Sequence, residues 1–272
     1  MTHHLTVDLE DWFHAHYPGW DFHEFRPDVF RIEPATERLL EIFGETGAKA
    51  TFFTLGVVAR DYPELVRRIV REGHRIACHG WDHDLIDDIP RDDLAETFTR
   101  AKSTLEDVSG EEVIGFRCPN FSVNKSNWDR YLNALERCGF KYDSSLYSGR
   151  LYYGGIAHSP TEIRKIDGRD IVEFPPSTGR LFGFKFPMGG FYLRLLPPKK
   201  IIRTMKKIEA EGKSGIIYLH PKDIDEANPR LPVNFVCRWI HSVGVQKSTN
   251  KLRTILSEFD FAPIEESRQF DT

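Results

Sequence analysis

The chain has 272 residues, of which 40% are hydrophobic and 12% aromatic, and 37 Lys and Arg stand against 41 Asp and Glu for a net charge of -4. That is enough apolar side chain for a sizeable core and lacks the basic excess of nucleic-acid binders, so disordered, collagen-like and nucleic-acid-binding classes are excluded. No run approaches the roughly 18 consecutive apolar residues of a membrane span, and the acidic, broken N-terminal stretch is unlike a signal peptide, so a cytoplasmic protein is expected.

The four cysteines, Cys78, Cys118, Cys138 and Cys237, show no C-x-x-C spacing, which predicts reduced thiols rather than a disulfide framework or a zinc-thiolate site. No Gly/Ser-rich or Pro-rich linker divides the chain, so one α/β domain is expected. The first strand is read at Leu5 to Leu9 and the first helix at Pro34 to Glu45, stopped by Gly47. A strand follows at Ala50 to Leu55. Pro63 opens a helix that carries Leu65, Val66, Ile69 and Val70 at helical spacing and ends at Gly73, before the strand Arg75 to Cys78.

Leu94, Phe98, Ala101 and Leu105 step by four, three and four, which predicts an amphipathic helix ahead of the strand Val113 to Phe116. Another helix carries Trp128, Leu132 and Leu135 and leads to Phe140 to Asp143. Residues 145 to 200 are rich in Gly, Pro and aromatics and read as hairpins and loops over one end of the fold. Order returns with a helix around Lys199 to Ala210, the apolar strand Gly215 to Leu219, and a last helix bearing Leu252, Ile255, Leu256 and Phe259. Alternating strands and helices of this kind build a mainly parallel sheet.

In parallel α/β folds the site forms at the carboxyl ends of the strands, and four such ends are polar here. The first runs into Asp8-Leu9-Glu10-Asp11, a carboxylate cluster that repels itself unless a cation or Arg lies within it. A solvated acidic loop would have the same composition. The strand ending at Cys78 runs into His79-Gly80-Trp81-Asp82-His83, where two imidazoles four apart can aim at one ion. Two His and one carboxylate leave positions open for water and substrate, as hydrolysis at a metal requires. Arg117, in Gly115-Phe116-Arg117-Cys118-Pro119-Asn120, can fork onto a neighbouring carboxylate, and Ile216-Ile217-Tyr218-Leu219 delivers His220 to a loop. Buried ion pairing and structural histidines are the plain alternatives.

With these residues in place the sequence resembles the polysaccharide deacetylase family, the NodB-homology carbohydrate esterases. T-V-D-L-E-D, H-G-W-D-H, R-C-P-N and L-H-P stand in the family's order between about Thr6 and Pro221. The D-x-E-D-W-F-H run, Asp8 to His14, further resembles a subgroup from exopolysaccharide and O-antigen gene clusters. The resemblance implies a distorted (β/α) barrel of about seven strands, spanning 1–272 with a core of about 4–222 and a C-terminal helical extension 223–272. It also implies removal of N-acetyl groups from an aminosugar, with an N-acetylated glycan or sugar precursor as partner. A divalent metal, Zn2+ first and Co2+, Mn2+, Ni2+ or Fe2+ otherwise, would be held by His79, His83 and one of Glu10 or Asp11. Asp8 would act as base, Arg117 would orient it, and His220 would act as acid. Pro119 and Asn120 would border a sugar subsite, although Asn120 replaces a frequent aromatic. Asp143 would tune His220 or cap a turn, and Tyr192 would stack on a sugar or pack in the core. Hydrolysis of cyclic amides on the same barrel, and non-catalytic carbohydrate binding, are the competing functions.

Overall fold

The computed structural model describes residues 1–181 and 184–270. Phe182 and Gly183, within the expected hairpin stretch, and Asp271 and Thr272, at the end of the expected extension, lie outside them. Eleven strands occur among the described residues: β1 Thr2–Leu9, β2 Ala50–Thr54, β3 Arg75–Cys78, β4 Gly115–Phe116, β5 Tyr142–Asp143, β6 Arg164–Lys165, β7 Val172–Glu173, β8 Thr178–Leu181, β9 Phe184–Pro187, β10 Ile216–Leu219 and β11 Asp260–Ala262. The helices are α1 Ile32–Thr46, α2 Gly56–Asp61, α3 Pro63–Arg71, α4 Leu94–Ser109, α5 Trp128–Arg137, α6 Gly190–Leu195, α7 Pro198–Ala210, α8 Phe235–Ser242 and α9 Ser248–Leu256.

Seven strands run parallel in the order β10-β1-β2-β3-β4-β5-β7, and β6 adds an antiparallel edge. The sheet curls into a half-barrel. Across the remaining gap the chain after β7 supplies irregular bonds: Ser177 N–H donates to Ile216 O at 3.0 Å, and Ile216 N–H donates to Ser177 Oγ at 2.8 Å. Such strands are covered on both faces, which is why β2 and β10 are buried at every position and β10 reads as a continuous apolar run.

Strand alternation divides the side chains between two cores. Leu5, Val7, Phe52, Ile76, Phe116 and Leu219 face outward and meet the apolar stripes of the helices, including Leu39 and Phe43 of α1 and Phe98 and Leu105 of α4. Phe53, Ala77, Tyr142, Phe174 and Ile216 fill the inside. Gly47 ends α1 at φ 72°, a left-handed conformation that closes the helix and aims the chain into β2.

Three differences from the sequence reading have physical causes. The segment before Pro63 forms the separate helix α2, and Tyr62 divides it from α3 by closing back on Val58 O. The strands expected at Val113 to Phe116 and Phe140 to Asp143 shorten to two residues each, with single backbone bonds such as Lys141 N–H to Ile114 O at 2.8 Å just outside them. Residues 223–272 hold α8 and α9 but also β11, which pairs in parallel with the start of β1, so this stretch is part of the sheet as well.

Candidate active site

Glu10, His79 and His83 offer ligand atoms that all lie within 4.8 Å of one another, and all three side chains are buried. β1 carries Asp8 on its inner face and hands the chain on to Glu10, two residues further along. β3 ends at His79, where the His79 N–H donates to Thr54 O at 2.9 Å and fixes the turn against β2. Gly80 at φ 85° makes the sharp exit that brings His83 back, and His83 itself sits at φ 60°, an uncommon conformation for a side-chain-bearing residue. Strained backbone of this kind gathers at functional sites.

The donor set fits a cation. His79 Nδ1 lies 2.8 Å from the Arg117 carbonyl and donates to it, which leaves Nε2 with a lone pair. Glu10 Oε2 stands 2.5 Å from His83 Nε2, yet the contact lacks hydrogen-bond alignment, and Oε2 and His83 Nδ1 are buried without hydrogen-bond partners. Burial pushes the His83 imidazole down to about 4 and also lowers His79, so both rings are neutral and able to ligate near neutral pH. Burial opposes ionisation of Glu10, but His83 and Lys222 outweigh it and hold the carboxyl well below its usual range. Lys222 Nζ donates to Glu10 Oε1 at 2.6 Å.

Asp11, the other carboxylate considered, does not join this group. Its oxygens accept from the backbone N–H groups of Trp12 at 2.8 Å and Arg31 at 3.1 Å, and burial raises it to about 6. Asp11 therefore organises the loop that leads to α1.

Asp8 is bound by Arg117, whose Nη1 donates to Oδ1 at 2.6 Å. The same guanidinium donates to Thr6 Oγ1 at 2.9 Å, Ser144 Oγ at 2.7 Å and Ser144 O at 3.1 Å, and lies 4.1 Å over the Phe53 ring. Burial would raise Asp8, but Arg117, His79 and His220 together hold it below its ordinary value. His220 Nε2 lies 3.7 Å from Asp8 Oδ2, while its Nδ1 is 2.9 Å from Asp223 Oδ2. Burial disfavours the imidazolium, yet Asp223 and Glu10 reverse this and raise His220. Asp223 is in turn held by Arg194 at 2.8 Å.

The other residues singled out from the sequence lie elsewhere or do other work. Pro119 is buried beside Gly80, and Asn120 sits at φ 51° with a buried Nδ2 that has no hydrogen-bond partner. Asp143 is turned to the helix side of β5, where it accepts from Tyr131 Oη at 2.7 Å and Ser145 Oγ at 2.5 Å. Its expected link to His220 is not made, and Asp223 fills that part. Tyr192 packs on Phe186 with ring centroids 5.3 Å apart, whereas Gly190, two residues earlier, is the residue beside His220. Cys78 and Cys118 are buried and pushed up to about 12, which removes them as nucleophiles. Reading the sequence missed Asp223, Lys222 and Arg194. The His-Pro-Lys-Asp spacing was the available signal, since a residue three beyond an N-cap can bond back to it, as Asp223 does to the His220 N–H at 2.8 Å.

Residues 26–142 match the family model described as polysaccharide deacetylase. Over that segment the chain is similar to that family. Residues 144–269 match a second model, described as a domain of unknown function (DUF3473). His79, His83 and Arg117 fall in the first segment and Lys222, His220 and Asp223 in the second, while Asp8 and Glu10 precede both. The one curled sheet brings them together.

Among curated proteins the chain is similar to a peptidoglycan deacetylase-like protein of Gibberella zeae, with 28% identity over 48% of this chain and 38% of the relative. It is also similar to a peptidoglycan deacetylase of Helicobacter pylori, with 25% identity over 73% of this chain and 64% of the relative. The matches thus span less than two thirds of these relatives' own length. The fold resembles that of a family 4 carbohydrate esterase from Streptomyces lividans in complex with acetate, with a TM-score of 0.54 and 14% identity over 98% of this chain and 94% of that one.

Proposed function

We propose that this chain is a metal-dependent N-deacetylase that hydrolyses the acetamide of an aminosugar in a polysaccharide or its precursor. The carrying observation is the convergence of three buried ligand side chains with two separately oriented proton-transfer groups. A divalent cation, Zn2+ first and Co2+, Mn2+, Ni2+ or Fe2+ otherwise, would be held by Glu10, His79 and His83 and would supply Lewis acidity toward the carbonyl and toward water.

The chain's own groups account for the proton movements. Asp8, kept ionised by Arg117, accepts a proton from the attacking water as the water oxygen bonds to the acetamide carbon. His220, fixed through Nδ1 by Asp223, presents Nε2 as donor to the amine nitrogen while the C–N bond breaks. The carbon side leaves as acetate and the sugar as a free amine. The deacetylase names of the relatives support this chemistry. The likeness of Asp8 to His14 to the D-x-E-D-W-F-H subgroup favours a role in cell-surface polysaccharide or O-antigen synthesis.

The test is acetate release from N-acetylglucosamine oligomers by the metal-loaded protein, beside cyclic ureides as competing substrates. Release from the glycan that Asp8→Asn abolishes supports the proposal. Hydrolysis of the ureides alone, or acetate release that Asp8→Asn leaves intact, overturns it.

A further inference from the structure

At the opposite end of the half-barrel, beside the start of β1, lies a cavity of about 1110 Å³ bounded by α7, β8 and the chain after β11. Thr2 at its rim and Asp8 at the other mouth are separated by six strand residues, about 20 Å along the sheet. Its walls carry Arg180, Lys200, Arg203, Lys207, Lys213 and Arg268, against Glu162, Glu211 and Glu266. Two of these carboxylates are engaged by Lys213, at 3.3 Å from Glu162 and 3.5 Å from Glu211. Among the described residues the other five cations make no ion pair, so the walls carry five positive side chains against one remaining carboxylate, Glu266. This concentration occurs in a chain whose net charge is -4.

Helix α7 shows the contrast on its own surface. Lys206 is paired with Glu258 at 2.8 Å, whereas Lys200, Arg203 and Lys207, spaced by three and four on the cavity side, have no carboxylate. Along the helix axis that row spans about 10 Å. Among the described residues the lining also offers the hydroxyls of Thr2, Thr161 and Thr178, and no Phe, Tyr or Trp. Cations in a row with hydroxyls between them suit a ligand that repeats negative charge and hydroxyl groups. The concave shape does not suit a lipid surface, and the lack of an aromatic platform does not suit single-stranded nucleic acid.

We propose that this cavity is a second binding site, remote from the hydrolytic mouth, for an acidic saccharide bearing several carboxylates. The site stands independently of the deacetylase reading, because it is tested by binding alone. Calorimetric titration of the full chain uses tetragalacturonate as probe, with chitotetraose, inorganic phosphate, a short oligonucleotide and anionic lipid vesicles as comparators. Tetragalacturonate binds, more weakly at higher salt. Arg203→Glu/Lys207→Glu weakens it about tenfold or more, and Arg268→Glu, on the facing wall, weakens it too if the double variant fails to fold. Lys206→Glu, outside the cavity, changes it by less than about twofold. The site is refuted by no binding, by an equal loss in Lys206→Glu, or by phosphate, chitotetraose, oligonucleotide or vesicles binding as tightly as the acidic oligomer.

Discussion

Arg117 Nη1 lies 2.6 Å from Asp8 Oδ1, and the guanidinium is completely removed from solvent. A buried cation of this kind is tolerated only because every side of it is matched, by Asp8, Thr6, Ser144 and the face of Phe53. The pair joins fold to chemistry, since it ties β1 to the end of β4 and keeps the proposed base charged.

Removing the cation should therefore damage both. Arg117→Met leaves a buried carboxylate without its partner, a change expected to cost about 3–5 kcal/mol in urea unfolding. The loss should depend on pH with a fixed sign. Asp8 is held below its ordinary value in the folded protein, so the pair's contribution is present above the unfolded carboxylate pKa and fades as pH falls through the folded one. Wild type and Arg117→Met should converge in strong acid. A constant gap down to the acid limit would contradict this account of the pair.

Asp8→Asn should reduce kcat by roughly 10²–10⁴ while leaving bound metal unchanged, because the role proposed for Asp8 is to move a proton and it lies outside the candidate ligand group. Elemental analysis run beside the kinetics separates the two roles. Loss of metal together with rate would make Asp8 a ligand.

Asp223 raises His220 and holds its ring, so Asp223→Asn should move the basic limb of the kcat profile to lower pH. The sign follows from an acid that must be protonated: with its pKa lowered, the active form disappears earlier as pH rises. An unchanged basic limb would show that another group donates the proton.

Lys222 places positive charge 2.6 Å from Oε1 of Glu10, on the carboxylate proposed as a metal ligand. Lys222→Met should tighten Zn2+ binding about tenfold in a competition titration, because an opposing charge near the cation is removed. Weaker binding would mean that Lys222 serves mainly to orient Glu10.

His241 is buried in α8, its Nε2 has no partner, and burial pushes the imidazole down to about 3. Its contribution to stability is complete above the unfolded value and is lost as pH falls from there toward 3, since the unfolded chain then takes up the proton first. His241→Leu should therefore spare about 2 kcal/mol of the stability that wild type loses between pH 7 and pH 5. Denaturant midpoints measured at the two pH values read this directly, and parallel losses in both proteins would contradict it.

The parts visible in the sequence were those whose signal is local. Pro63, the steps from Leu94 to Leu105 and the apolar run Ile216 to Leu219 each encode an element within a few residues, and the His79–His83 spacing survives because a short turn is enough to join its two ends. The choice between Glu10 and Asp11 was not local: it depends on Arg31, twenty residues on, whose N–H binds Asp11 and turns it away. The partner of His220 was likewise hidden, because Asp143 and Asp223 look alike as single letters. Register decides between them, since Asp143 stands beside Phe116 on the helix-facing side of the sheet. The Gly-rich and aromatic stretch before α7 conceals β7 and the Ser177 bridge, which act through non-local bonds rather than through periodicity.

The most direct test of the central claim is metal content and acetate release measured together on wild type, Glu10→Gln, His79→Gln and Asp11→Asn. The account predicts one tightly held divalent ion per chain and glycan deacetylation in wild type and Asp11→Asn, with both lost in Glu10→Gln and His79→Gln. Deacetylation that persists in Glu10→Gln and His79→Gln, or a metal that leaves only with Asp11→Asn, would contradict it.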